Sequence, residues 1–86
     1  DLLEIARLDA DPGLVREPVP PGELARSAVT SLRPMATEGN LEIELDIEAG
    51  LPIVEADGRR LMRALENLLA NALQHARSRV RLQVLR

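Results

Sequence analysis

Residues 57–76 read DGRRLMRALENLLANALQHA, from Asp57 to Ala76. At about 100° per residue, Leu61, Met62, Leu65, Leu68, Leu69, Ala72 and Leu73 fall on one side of a helix. Arg60, Arg63, Asn67, Asn71, Gln74 and His75 gather on the other side, and Glu66 lies away from that polar face. Asp57 is of the residue type that caps a helix N-terminus. The spacing therefore predicts a helix from Gly58 to about Ala76. Strand patterns flank it. Leu41–Ile47 reads LEIELDI and alternates strictly, which predicts one buried face and one acidic face. Arg79–Leu85 alternates again, with Val80, Leu82 and Val84 on one side. A connection containing a whole helix suits parallel neighbours joined by a right-handed crossover. Glu42, Glu44 and Asp46 then come to lie beside Arg79 and Arg81.

Upstream, Leu24, Ala25, Ala28, Val29, Leu32, Met35 and Ala36 repeat with helical spacing, predicting a helix over Gly22–Glu38. Pro20 and Pro21 lead into it, and Gly39-Asn40 forms the stop. Pro34 lies inside the pattern and is expected to kink or break it. Leu14–Val19 reads as a short extended piece that Pro18 confines to a sheet edge or to no sheet. Ala49–Pro52 reads as a turn and Ile53–Ala56 as a short strand or extended link. Asp1–Asp9 carries helical spacing too short to stand alone, as in the last turns of a longer helix. Asp11, Pro12 and Gly13 stop it. The fold class expected is α/β, with two main helices packed on one face of a mixed sheet.

Composition narrows the chemistry. The 86 residues carry a formal net charge of −3 and are 45% hydrophobic, with sixteen leucines, eleven alanines and no aromatic residue. The core is therefore aliphatic, and at this length the fold has little stability to spare. The absence of cysteine excludes a disulfide framework and a cysteine-ligated zinc site. The single histidine, His75, argues against a multi-histidine metal site, and no nucleophile motif accompanies it. No apolar run approaches the roughly 20 residues needed to span a bilayer. A start at Asp1, without a signal-peptide pattern, is expected of a fragment or processed product. All eleven basic residues are arginines. Glu38–Asp57 holds seven acids and no base, whereas Arg59–Arg86 holds seven arginines and one acid. Either the two segments neutralise each other in the fold or the basic one meets a polyanion.

Asn67 and Asn71 stand out. Asparagine in a helix interior costs roughly 0.6 kcal/mol relative to alanine and prefers caps and turns. Two of them at i and i+4 share one face. An amide oxygen is a neutral hard ligand, suited to a Mg²⁺ ion that keeps several waters and shares phosphates. The pattern alone favours a polar stripe facing solvent over a metal site.

Glu66–His75, reading ENLLANALQH, resembles the N box of the sensor histidine kinases, written N-L-L-x-N-A and followed by a basic and then an aromatic or histidine residue. That box belongs to the GHKL ATPase group and its Bergerat nucleotide-binding fold. Ala56–Leu61 looks like the segment that begins the N-box helix. Leu24–Glu38, with Leu32-Arg33-Pro34-Met35-Ala36, looks like the first helix of the catalytic domain. Ala6–Ala10 looks like the end of the second helix of the dimerisation and phosphotransfer domain. The resemblance implies that residues 1–13 end that domain and its linker. It also implies that residues 14–86 are the N-terminal portion of the ATP-binding domain, a partial two-layer Bergerat sandwich.

Carried over residue by residue, the resemblance makes Asn71 the Mg²⁺ ligand and puts Asn67 at the phosphates. His75 stands where relatives have His or Tyr near the nucleotide. It is not the phosphoacceptor, which sits on an earlier helix in the family. Gln74 stands where many relatives have Lys or Arg. A neutral amide forgoes the charge-assisted bond, which is roughly twice as strong. The family's D-x-G-x-G segment, which reads adenine, and its lid follow the last strand, and the sequence reaches only to Arg86. Weak or no binding of ATP and Mg²⁺ is therefore expected of these 86 residues alone, with no catalysis, an open sheet edge and self-association.

For the longer protein, the resemblance implies a cytoplasmic portion of a membrane-anchored bacterial sensor. That protein is a homodimer that phosphorylates a histidine of its own dimerisation domain with Mg·ATP and passes the phosphate to a response regulator, with no nucleic-acid partner. The alternatives are a truncated or degenerate kinase domain that docks a partner without catalysis, and a helical oligomerisation element. The alternating strands speak against the last.

Overall fold

The computed structural model describes residues 15–86. The expected helix end at Asp1–Asp9, its stop at Asp11–Gly13, the segment 1–13 assigned to a preceding domain and the first residue of the Leu14–Val19 piece lie outside the described residues. The order is β1 (Glu17–Val19), α1 (Pro21–Glu38), β2 (Glu42–Ile47), β3 (Val54–Ala56), α2 (Gly58–His75) and β4 (Arg79–Val84).

Pro21 occupies the start of α1, where a missing N–H costs nothing, and Glu23 lies in the first turn, favourable to the helix dipole. The helix buries Ala25, Ala28, Val29 and Ala36. It runs unbroken through Pro34, contrary to the expected break. The reason is position. Pro34 lies four residues from the helix end on an exposed face, so the one carbonyl deprived of its donor, that of Thr30, can turn to water. At the C-terminus Asn40, not Gly39, takes the left-handed conformation, with φ 59°. Asn40 N–H donates to the Thr37 carbonyl at 3.1 Å and Leu41 N–H to that of Ala36 at 2.8 Å. This pair of bonds is a Schellman motif, and Leu41 turns back onto the core beside it.

Strands β2 and β4 are parallel, with Glu42 opposite Arg79 and Ile47 opposite Val84. The crossover between them is β3 and α2, as the alternation of strand, helix and strand predicts. Ile43, Leu45, Val80 and Leu82 pack against the buried cluster of Val29, Ala36, Leu69 and Leu73. The other face carries the charge. Arg79 Nη1 meets Glu44 Oε1 at 2.9 Å, and Arg81 Nη2 meets Asp46 Oδ2 at 3.1 Å. Each arginine reaches two residues past its register partner. The acidic and basic segments thus neutralise each other, although such exposed pairs contribute only about 0.2–1 kcal/mol each. Strands β1 and β3 form a separate antiparallel ladder, Glu17 opposite Ala56 and Val19 opposite Val54. Pro18 sits in it opposite Glu55, at the edge position that its missing donor requires.

Two residues of the expected apolar stripes are not core: Met35 on α1 is 43% exposed and Leu68 on α2 is 57% exposed. Leu68 is the clearer case. It lies at the margin of the apolar arc of α2, beside the polar face, where no described element covers it. No helix among the described residues is long and apolar enough to cross a membrane.

Candidate functional site

The site is built along α2, and its head is fixed by Asp57. One carboxylate oxygen accepts from Arg60 N–H at 3.2 Å, and the other accepts from Val15 N–H at 3.2 Å. The Arg60 Nε lies 3.7 Å from the second oxygen. The helix cap and the segment entering β1 are therefore held by one side chain. The two backbone N–H donors, Arg60 first and then Val15, hold the Asp57 carboxyl below the ordinary carboxylate value.

That depressed value has a definite sign. The carboxylate contributes stability fully above the unfolded aspartate pKa of about 4 and loses it as pH falls through the lower folded value. Asp57→Ala is expected to lower the melting temperature at pH 7 by on the order of 5 °C. The gap between the two proteins should close as pH falls below about 4. A gap unchanged between pH 7 and pH 3 in thermal circular dichroism would contradict this origin.

Asn67, Asn71, Gln74 and His75 are all exposed on α2. Asn67 and Asn71 stand one turn apart, about 6 Å along the axis. Among the described residues, no hydrogen bond ties either side chain down. Asn67 lines a cleft of about 480 Å³ together with Arg60, Arg63 and Ala64. A neighbouring cleft of about 500 Å³ shares Arg60 and Arg63 and continues to Asp57, Arg59, Glu17 and Val15. Asn71, Gln74 and His75 lie further along the helix, outside the lining of both clefts. His75 sits in the last turn, where a cation is favoured by the helix dipole. Among the described residues, no three His, Cys, Asp or Glu side chains cluster closely enough to hold a metal ion. A cation here would depend on amide oxygens, water and the ligand's own oxygens, a donor set that suits hydrated Mg²⁺ shared with phosphates. The sequence placed Arg60 and Arg63 on the polar face without assigning them to the site. The signal that could have done so is the i, i+4 spacing of Arg63 and Asn67, which makes them neighbours on the helix surface.

No family model matches the chain. It is 39% identical over 77 residues to sensor histidine kinase MtrB of Mycolicibacterium paratuberculosis, a match over 88% of this chain and 14% of that protein. MtrB of Mycobacterium tuberculosis H37Rv is 40% identical over the same length. The adaptive-response sensory kinase SasA of Prochlorococcus marinus MIT 9303 is 43% identical over 53 residues, 62% of this chain. The chain thus spans 14% of the length of the curated relatives it matches. Among solved structures, the cytoplasmic segment of histidine kinase QseC superposes with a TM-score of 0.78 at 21% identity, covering 98% of this chain and 58% of that one. Acinetobacter baumannii histidine kinase AdeS gives 0.71 at 19% identity, covering 95% and 44%. At these identities the two structures establish a shared fold.

Proposed function

The chain is a relative of the sensor histidine kinases and matches one segment of them, and from that premise we propose that residues 14–86 are the N-terminal part of an ATP-binding catalytic domain. Residues 1–13 then belong to the end of the preceding dimerisation and phosphotransfer domain and its linker. The observation that carries the reading is the Asn67–Asn71 pair, one turn apart and unburied on a helix whose opposite side packs on a parallel strand pair. Asn71 would hold Mg²⁺, and Asn67 would face the phosphates. Gln74 would offer a neutral donor, and His75 would stand near the nucleotide. When bound, Mg²⁺ would supply neutralisation of phosphate charge. The role of this chain's own residues is positioning. Asp57 fixes the head of α2, the Leu69–Leu73 face anchors it to the sheet, and the two amides are held at a set spacing.

In the longer protein, this part would serve phosphorylation of a histidine on its own dimerisation domain in a homodimer, followed by transfer to a response regulator. It would lie on the cytoplasmic side of a membrane-anchored sensor. A second reading, a docking module without catalysis, is favoured by Gln74, which lacks the charge many relatives place there.

A Mg·ATP titration followed by amide NMR tests the proposal. The side-chain amides of Asn67 and Asn71 are expected to shift saturably in the millimolar range. The response should vanish without Mg²⁺ and in Asn71→Ala. A folded chain whose amides do not move at millimolar nucleotide would overturn the reading that these residues engage Mg·ATP by themselves.

A further inference from the structure

We propose that Arg63 is the phosphate-binding cation of this site, supplying from the N-terminal side of Asn67 the charge that Gln74 does not supply from the C-terminal side. The inference rests on the nucleotide-site reading above and adds a residue to it. Arg63 lies one helical turn before Asn67, and the two share one open cleft whose lining residues all lie on α2. Its neighbour in that cleft, Arg60, is engaged by Asp57 through its Nε. Arg63 is exposed and, among the described residues, forms no ion pair with a carboxylate.

On the side of Asn67 the surroundings of Arg63 favour an anion over a cation, while the acids Glu17 and Asp57 line the neighbouring cleft on its other side. The cleft it shares with Asn67 is lined by two arginines, an amide and Ala64, with no acid. Glu66, three residues beyond Arg63, is its neighbour on the helix surface but forms no ion pair with it among the described residues. A guanidinium presents its donors in a rigid planar fork that matches two phosphate oxygens at once. Gln74 is eleven residues beyond Arg63, about 16 Å along the axis, so the two cannot serve the same oxygen. The ligand chemistry is therefore a phosphate chain lying along α2, with the Asn67 amide between the Arg63 guanidinium and the Asn71 amide.

Three ligands distinguish the sources of that chemistry: Mg·ATP, Mg·tripolyphosphate and adenosine alone. The initial slope of the Asn67 side-chain shift against ligand is read in the wild-type chain, Arg63→Gln, Arg63→Lys and Arg33→Gln. Arg33→Gln removes the same charge from an exposed position on α1. Arg63→Gln is expected to weaken the response to both phosphate ligands about tenfold, the loss of one charge-assisted bond. It should leave any response to adenosine unchanged and flatten the salt dependence of the phosphate response. Arg63→Lys should retain part of the slope, and Arg33→Gln nearly all of it. Equal slopes for Arg63→Gln and Arg33→Gln would overturn the proposal. If Asn71→Ala silences the response while Arg63→Gln keeps it, the nucleotide-site reading stands and the role of Arg63 falls. If the wild-type chain does not respond at all, both fall together.

Discussion

Leu69→Ala is expected to leave the chain largely unfolded at 25 °C. Leu69 is 3% exposed and sits in the buried cluster with Val29, Ala36 and Leu73. Removing its isobutyl group loses the transfer free energy of the side chain and opens a cavity, together roughly 3–5 kcal/mol. The core that must absorb this is small. Only seven hydrophobic residues among those described are buried: Val19, Ala25, Ala28, Val29, Ala36, Leu69 and Leu73. A domain of this size holds a net stability of about 3–5 kcal/mol from such a core. The loss therefore matches the whole margin. In urea titrations followed by circular dichroism, the variant should show no folded baseline, or a midpoint near zero denaturant. A loss below about 1 kcal/mol would mean that the site collapses onto the missing volume, which the aliphatic packing around it does not suggest.

The second large effect is Ala36→Leu, an excess of volume in the same cluster. Ala36 is 3% exposed and faces Leu69 and Leu73 from the last turns of α1. Its carbonyl also accepts the 2.8 Å bond from Leu41 N–H that closes the helix end. A larger side chain there pushes α1 away from α2 and strains that closure. The expected cost is about 1–3 kcal/mol. The check is the pair of melting temperatures for Ala36→Leu and Ala36→Ser. The serine variant keeps the volume, so its cost would come from an unpaired hydroxyl alone. A leucine variant as stable as the wild-type chain would show that the interhelical contact is looser than the burial of Ala36 indicates.

Much of the fold was legible in the chain because its signals were periodic. The 3.6-residue stripes marked α1 and α2 to within a residue or two, and the strict alternation marked β2 and β4. The pairing of those strands followed from the length of the connection between them. Their charge complementarity followed from acids and arginines standing on the outward positions of each. The candidate site was legible in the spacing of Asn67 and Asn71, since residues four apart share a helix face. What escaped was governed by neighbours rather than by period. Pro34 kept its helix because its lost bond falls on an exposed last turn. Leu68 left the core because nothing described covers the margin of its stripe.

The amino-acid order alone settled which residues form helices and strands, which face of each is apolar, and that two amides stand one turn apart. Those properties are local, set by side-chain periodicity, capping and turn residues within a few positions. Tertiary structure decided the rest. It sent Arg79 and Arg81 diagonally to Glu44 and Asp46. It joined Asp57 to Val15 across 42 residues of sequence. Each of these depends on where a second element lies in space, and no periodicity along one segment carries that information.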